Sequence, residues 1–166
     1  RSTARSTITE PAFIEATMPW ITQWLAEHPD AVYDDAVYRS MAPFVQERVA
    51  VLGDVPRFVD FLFLPDPERD DDSWNKTMKD NAAAILDATV AAYREVAWNA
   101  EALKTALEEI SERLLGPKKL GKAQAPVRVA VTGRTVGPPL FEPLELLGRD
   151  ETLRRLDAAR AVLAAG

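Results

Sequence analysis

Residues 117–148 read PKKLGKAQAPVRVAVTGRTVGPPLFEPLELLG, and the fold turns on whether the middle of this stretch is a strand or a helix. AQAPVRVAVTG alternates and is rich in valine, which by propensity reads as a strand. The rest of the chain reads as helix, so one strand would have no partner for its ladder. The stretch also lies in a basic island. From Arg113 to Phe141 there are six Lys or Arg (Arg113, Lys118, Lys119, Lys122, Arg128, Arg134) and no acid, in a chain of formal charge −6. A local excess of cations in an acidic protein points to a polyanion. Gly121, Gly133, Gly137 and the pair Pro138-Pro139 punctuate short apolar runs. A loop that is free at glycine and stiff at proline either holds its backbone close to a ligand or simply joins two helices.

Working outward, PVRVAVTGR and the following GPPLFEPLELLGRDETLRRLDAA resemble the C-terminal end of bacterial glutamyl-tRNA synthetases, which are class I aminoacyl-tRNA synthetases. In that family an R-x-A-x-T-G segment, a short Pro-containing loop and an L-L-G-[KR]-[DE]-x-x-L-x-R-L helix follow in this order. Phe141, Leu146, Leu147, Gly148, Leu153, Arg155 and Leu156 fall at matching positions. Upstream, Glu47-Arg48-Val49 with Val51-Leu52, running into Phe61-Leu62-Phe63, is similar to the family's preceding helical subdomain. The first 40 residues match only as a helical pattern. The resemblance implies a helix at 123–132 with Pro126 in its first turn. It implies an all-α chain of two packed helical subdomains, 10–72 and 73–166, after a polar lead-in at 1–9.

Composition bounds the rest. At 166 residues and 47% apolar, the chain has enough material for a core. There is no cysteine, which excludes disulfides and thiolate metal sites, and the one histidine, His28, excludes a His-rich metal site. No apolar run approaches the roughly 18 to 20 residues of a membrane span. RSTARSTITE lacks an apolar signal core, so the expected compartment is the cytoplasm. The lead-in reads as a linker from an upstream domain or as an expression remnant.

In chain order, Pro11 suits the first turn of a helix carrying Phe13, Ile14, Trp20, Ile21, Trp24 and Leu25, and Pro19 is expected to break it in two. His28 reads as a solvated residue at that helix's C-terminal end. Residues 30–52 read as a second helix capped by Asp30 and kinked at Pro43. Asp54 caps a short apolar segment, Val55–Leu64, and the acidic DPERDDD at 66–72 reads as a loop without a defined metal-ligand geometry. Helices follow at 80–97 and from an Asn99 cap through Leu115, with Gly116-Pro117 as a stop. Asp150 caps the last helix, whose Leu153, Leu156 and Leu163 face inward while Arg154 and Arg155 bring charge near the basic island.

The missing chemistry is as informative. The family's catalytic His-Ile-Gly-His-like and Lys-Met-Ser-Lys-Ser-like motifs do not occur, nor does a P-loop, a G-x-G-x-x-G or a G-x-S-x-G. No catalytic residue is assigned. The resemblance is thus to the anticodon-binding region, with no cofactor in this segment and ATP and Mg belonging to the parent enzyme. In the family one arginine reads the third anticodon base, and Arg48 matches it through ERVAVL. Another arginine, in the R-x-A-x-T-G segment, helps hold the middle base, and Arg128 matches it. Gly137, Pro138, Pro139 and Leu140 correspond to the loop that encloses anticodon bases, although Gly137 stands where a hydroxyl residue can occur. Lys118, Lys119 and Lys122 read as phosphate contacts.

Arginine suits base reading because its planar fork donates in pairs and stacks on a base. The implied partners are glutamate tRNA, with glutamine tRNA as a second substrate in many bacterial forms, and an upstream catalytic domain of the parent chain. Neither DNA nor a membrane is expected, and the default state is a monomer. Without the resemblance, Arg48 and Arg128 read as surface arginines and the Gly-Pro-Pro loop as a helix connection. A rival reading is a helical adaptor that binds protein, which the net negative charge favours. An independent small enzyme lacks a catalytic constellation.

Overall fold

A computed structural model describes residues 8–166. Of the lead-in expected at 1–9, residues 1–7 lie outside the described residues. The described residues form nine α-helices, two short 3-10 turns and no strand. By contacts the chain divides into two units. One runs through Asp66 and includes Val136–Pro139, and the other comprises Pro67–Thr135 and Leu140–Gly166.

In the first unit, helix α1 is Glu10–Glu27, capped by Thr9, whose hydroxyl accepts from Ala12 N at 3.3 Å. Pro11 lies in its first turn, as the sequence predicts. The expected break at Pro19 is absent, and the helix runs through it. Phe13, Ile14 and Ile21 are buried on either side of that exposed proline, and this burial holds the helix together across its lost hydrogen bond. Helix α2, Asp35–Arg48, starts five residues later than expected and is capped by Asp34 rather than Asp30. Residues 31–34 are held outside the helix because Val32 N donates to Phe63 O at 2.8 Å and the Tyr33 ring packs on Phe63 at 5.1 Å. Pro43 sits inside α2 without ending it, flanked by buried Met41, Ala42 and Val45.

A 3-10 turn (Leu52–Asp54), helix α3 (Val55–Val59) and a second 3-10 turn (Asp60–Leu62) complete the apolar segment. Asp54 precedes α3 but its side chain makes no capping bond. The core of this unit joins Phe13, Ile21, Tyr38, Met41, Val45, Val49, Val55, Val59 and Phe63. Thr17 and Tyr38, both fully buried, share a hydroxyl–hydroxyl hydrogen bond inside it. Burial pushes the Tyr38 phenol above its ordinary pKa, so it stays neutral there. His28 ends α1 with its Nδ1 2.8 Å from Trp24 O and its ring stacked on the Trp24 indole, half-buried rather than freely solvated.

The second unit is built around the stretch that opened the sequence reading. Residues Leu120–Thr132 form helix α7, and no strand is present among the described residues. Ala123, Val127 and Val131, spaced by four, are fully buried, and Val129, Ala130 and Thr132 are buried as well. Helices α4 (Asp71–Thr77), α5 (Ala82–Tyr93), α6 (Ala100–Leu115) and α9 (Arg149–Ala165) all pack on α7. A helix enclosed on most sides is apolar on most sides, and a short window of it imitates the alternation of a strand. Pro126 lies in the middle of α7, not in its first turn as expected, because the helix begins at Leu120.

Three further boundaries correct the sequence reading. The acidic run at 66–72 is not all loop: Asp70 caps α4, accepting from Ser73 N at 2.9 Å and Ser73 Oγ at 2.7 Å. Asp71 and Asp72 then fall in the first turn, where the helix dipole favours acids. Helix α5 is shorter than the predicted 80–97. Asp150 does not cap α9: Gly148, at φ 93°, takes that place without a side chain, and Asp150 is already in the first turn. Helix α6 has the predicted bounds, with Asn99 Oδ1 accepting from Ala102 N at 2.8 Å. Helix α8, Phe141–Leu147, joins its neighbours through Trp98 Nε1, which donates to Leu144 O at 3.1 Å, and through Glu145, which accepts from Ala100 N at 2.8 Å.

Gly133 closes α7 at φ 86°, and a Cβ there would overlap the Glu68 carbonyl oxygen and lie 2.8 Å from its carbon. The two backbones are tied by Asp70 N, which donates to Gly133 O at 2.9 Å.

Candidate nucleic-acid interface

In the first unit, Arg48 is the last residue of α2. Val45 and Val49 turn into the core at 0% exposure, and Val49 leaves the helix in an extended conformation, so Glu47 and Arg48 are left on the surface. Arg48 Nη1 lies 3.4 Å from Gly137 O, to which it donates. That distance is at the outer limit of a hydrogen bond, and a guanidinium has five N–H donors, so the contact occupies little of its capacity. The structure thus brings Arg48 onto the Gly-Pro-Pro segment that the sequence placed 89 positions away. Gly137 and Pro139 are half-buried and Pro138 is buried. Leu140 belongs to the second unit and is 2% exposed, so its side chain is part of the packing.

In the second unit, Lys118, Lys119 and Lys122 are exposed at the N-terminal end of α7. Lys118 has φ 59°, a turn conformation that lets Lys119 O accept from Lys122 N at 3.0 Å and Ala123 N at 3.2 Å. No acid lies in the first turn and no side chain caps it. Cations at the positive end of a helix dipole are each unfavourable by a few tenths of a kcal/mol. The fold therefore gains nothing from these three lysines, and an anion is the ligand that complements them. Arg128, half-buried, lies six residues beyond Lys122, about 120° around the helix, and does not share its face. Arg134, in the same basic island, pairs with Glu68 at 3.0 Å.

The sequence reading missed two lysines, misread one arginine, Arg155, and left another, Arg149, unread. Lys76 and Lys79, three positions apart, line a cavity with Lys122. Arg155, expected near the island as surface charge, is 3% exposed. Its Nη1 donates to Val131 O at 2.8 Å and its Nε to Glu151 Oε2 at 2.7 Å. Val131 is among the last four residues of α7, whose carbonyls have no partner within the helix, so Arg155 closes that helix from the side. Hydrogen bonds from Arg154 and then Arg155 pull the Glu151 carboxyl down to a pKa of about 2, against the opposing effect of burial. Arg149 does the same for α5, donating to Tyr93 O and Val96 O, both at 2.8 Å, with its guanidinium 5.2 Å from the Trp98 ring. These bonds meet the chain at Tyr93, the last residue of α5, and just beyond it. Among the described residues no helix is long and apolar enough to cross a membrane, and no three His, Cys, Asp or Glu side chains gather as a metal site.

Comparison with known proteins covers nearly the whole chain. The family described as "Anticodon binding domain" matches residues 12–160. The glutamate–tRNA ligase of Frankia casuarinae is 51% identical over 154 residues, covering 93% of this chain and 32% of that protein. The glutamate–tRNA ligase of Salinispora arenicola is 48% identical over 157 residues, covering 91% of this chain and 33% of that protein. The crystal structure of a glutamate tRNA ligase from Elizabethkingia meningosepticum superposes with a TM-score of 0.75 at 21% identity, covering 98% of this chain and 31% of that one. The chain therefore spans about a third of the length of the curated relatives it matches.

Proposed function

The chain belongs to the anticodon binding domain family, and on that premise we propose that it is the tRNA-reading part of a glutamate–tRNA ligase. It binds the anticodon arm of glutamate tRNA, and in forms that charge both, glutamine tRNA. The parent enzyme then couples correct recognition to ATP-dependent glutamylation, with ATP and Mg held by a catalytic domain outside these residues. The cytoplasm and a monomeric state fit this role.

The observation that carries the reading is Arg48 beside Gly137. A planar, exposed donor set stands next to a backbone segment stiffened by two prolines, which is what an unstacked base needs: a fork for its edge and a fixed wall beside it. Arg48 reads the third anticodon base and Gly137, Pro138 and Pro139 hold the wall beside it; in the second unit, Arg128 helps hold the middle base. Lys118, Lys119 and Lys122 contact phosphates and position the RNA without reading it.

The experiment is filter binding of the chain to glutamate tRNA and to the same transcript with guanine in place of cytosine at the third anticodon base. Tighter binding of the cytosine form, falling steeply with salt, is the expected result. Equal binding of the two overturns the reading. The formal charge of −6 favours a second reading, a helical adaptor for protein. Its signature is the absence of RNA binding even at low salt.

A further inference from the structure

We propose that the second unit carries a phosphate pocket for the RNA backbone, formed by Lys76, Lys79 and Lys122 around a cavity of about 280 Å³. The proposal rests on the RNA-binding reading above and adds a contact built from two lysines remote from the basic island. Lys76 lies in the last turn of α4, Lys79 in the turn before α5 and Lys122 in the first turn of α7. All three are exposed, and none is ion-paired among the described residues. Asp80 is the one acid among the lining residues, so the rim carries three positive charges against one negative. Beneath the rim the floor is apolar, with Ala82, Ile85 and Pro126 buried.

Two independent features point the same way. Three ammonium groups gathered from three segments around one cavity repel one another, and an anion seated among them removes that repulsion. Helix α5, 12 residues long, also opens onto this cavity through Asn81 and Ala82, and no side chain caps it. Ala82 N already donates to Lys79 O at 3.0 Å, and it is the positive end of the helix dipole that adds to the same field. The chemistry recognised is a phosphate group. A phosphodiester of bound RNA is the source because Lys122 belongs to the basic island already assigned to RNA, and because the apolar floor gives the adjoining sugar a surface to rest on.

The test is lysine footprinting of the wild-type chain. Brief acetylation, read by mass spectrometry at each lysine, is carried out alone, with a glutamate-tRNA anticodon stem-loop, and with inorganic phosphate. RNA is expected to slow modification of Lys76, Lys79 and Lys122 together by severalfold, with Lys104 on the outer face of α6 unchanged. The double variant Lys76→Ala/Lys79→Ala is expected to reduce the slope of log affinity against log salt by about one, with the cytosine-to-guanine ratio preserved. RNA that binds but leaves the three lysines at their free rates overturns the pocket while the RNA reading stands. Failure of the wild-type chain to bind RNA overturns both. Protection by inorganic phosphate but not by RNA assigns the pocket to free phosphate and overturns the backbone source.

Discussion

The arginines of the two units stand in opposite conditions. In the second unit, Arg155 is buried and bonded to Val131 O and Glu151, and Arg149 spans Tyr93 O and Val96 O. In the first unit, Arg48 is exposed and makes one 3.4 Å contact. A guanidinium holding two backbone carbonyls at a helix end has its donors occupied and serves the fold. One held loosely at its edge keeps its donors for a ligand. The lesson is that an arginine in a family motif is not thereby an RNA contact. Arg155 and Arg149 lie in the most recognisable part of the chain, yet they cap helices.

The most direct way to break this contrast is to remove Arg155. Arg155→Ala leaves Val131 O buried without a donor and Glu151 without its buried partner, and is expected to cost about 2–4 kcal/mol of stability. Urea denaturation measures it, and a loss below 0.5 kcal/mol would show that Arg155 is dispensable to the fold. Arg48→Ala should do the reverse. It is expected to leave the urea midpoint within error while reducing cytosine-over-guanine discrimination at the third anticodon base by about 1–3 kcal/mol, roughly ten- to hundredfold. An unchanged binding ratio for two tRNAs differing at that base would return Arg48 to an ordinary surface residue.

Acid sharpens the contrast in another way. The folded pKa of Glu151, about 2, lies below the ordinary 4.5. Its contribution is therefore complete above 4.5 and is lost as pH falls from 4.5 to 2. Because the carboxylate is 31% exposed, solvent screens part of the effect, leaving an expected loss of about 1–2 kcal/mol. Stability curves for wild type and Glu151→Gln should converge across that window, and curves that stay parallel would contradict it. The smallest expected effect is that of Lys118→Ala, which should weaken all tRNAs about equally and shallow the salt slope by about one, with stability unchanged. A change in base preference would mean that Lys118 reads sequence.

How far the sequence could be read depended on how local the deciding interaction is. Helix α6 was legible because Asn99, its cap, and Gly116, its stop, act within one turn. The start of α2 was not, because Tyr33 and Val32 are held by Phe63, about 30 residues later. Pro19 and Pro43 carry the ordinary signal for a break, and burial on both sides overrides it. For α7, local alternation favoured a strand, and family resemblance rather than physics at the residue level pointed to the helix. Its enclosure by four other helices is the physical reason, and no window of sequence contains it. The placement of Arg48 against Gly137 was likewise invisible in spacing. So was the meeting of Lys76 and Lys79 with Lys122, although their spacing of three was there to be noticed.

Gly133 has a consequence for which residues the position can accept. Two separate demands meet there: a backbone angle of 86° and the Glu68 carbonyl where a side chain would begin. An L-residue offends both. Its mirror image, D-alanine, adopts the angle at ease, so chemical synthesis can lift the first demand where the ribosome cannot. Angle and room together confine position 133 to glycine among the residues the ribosome supplies.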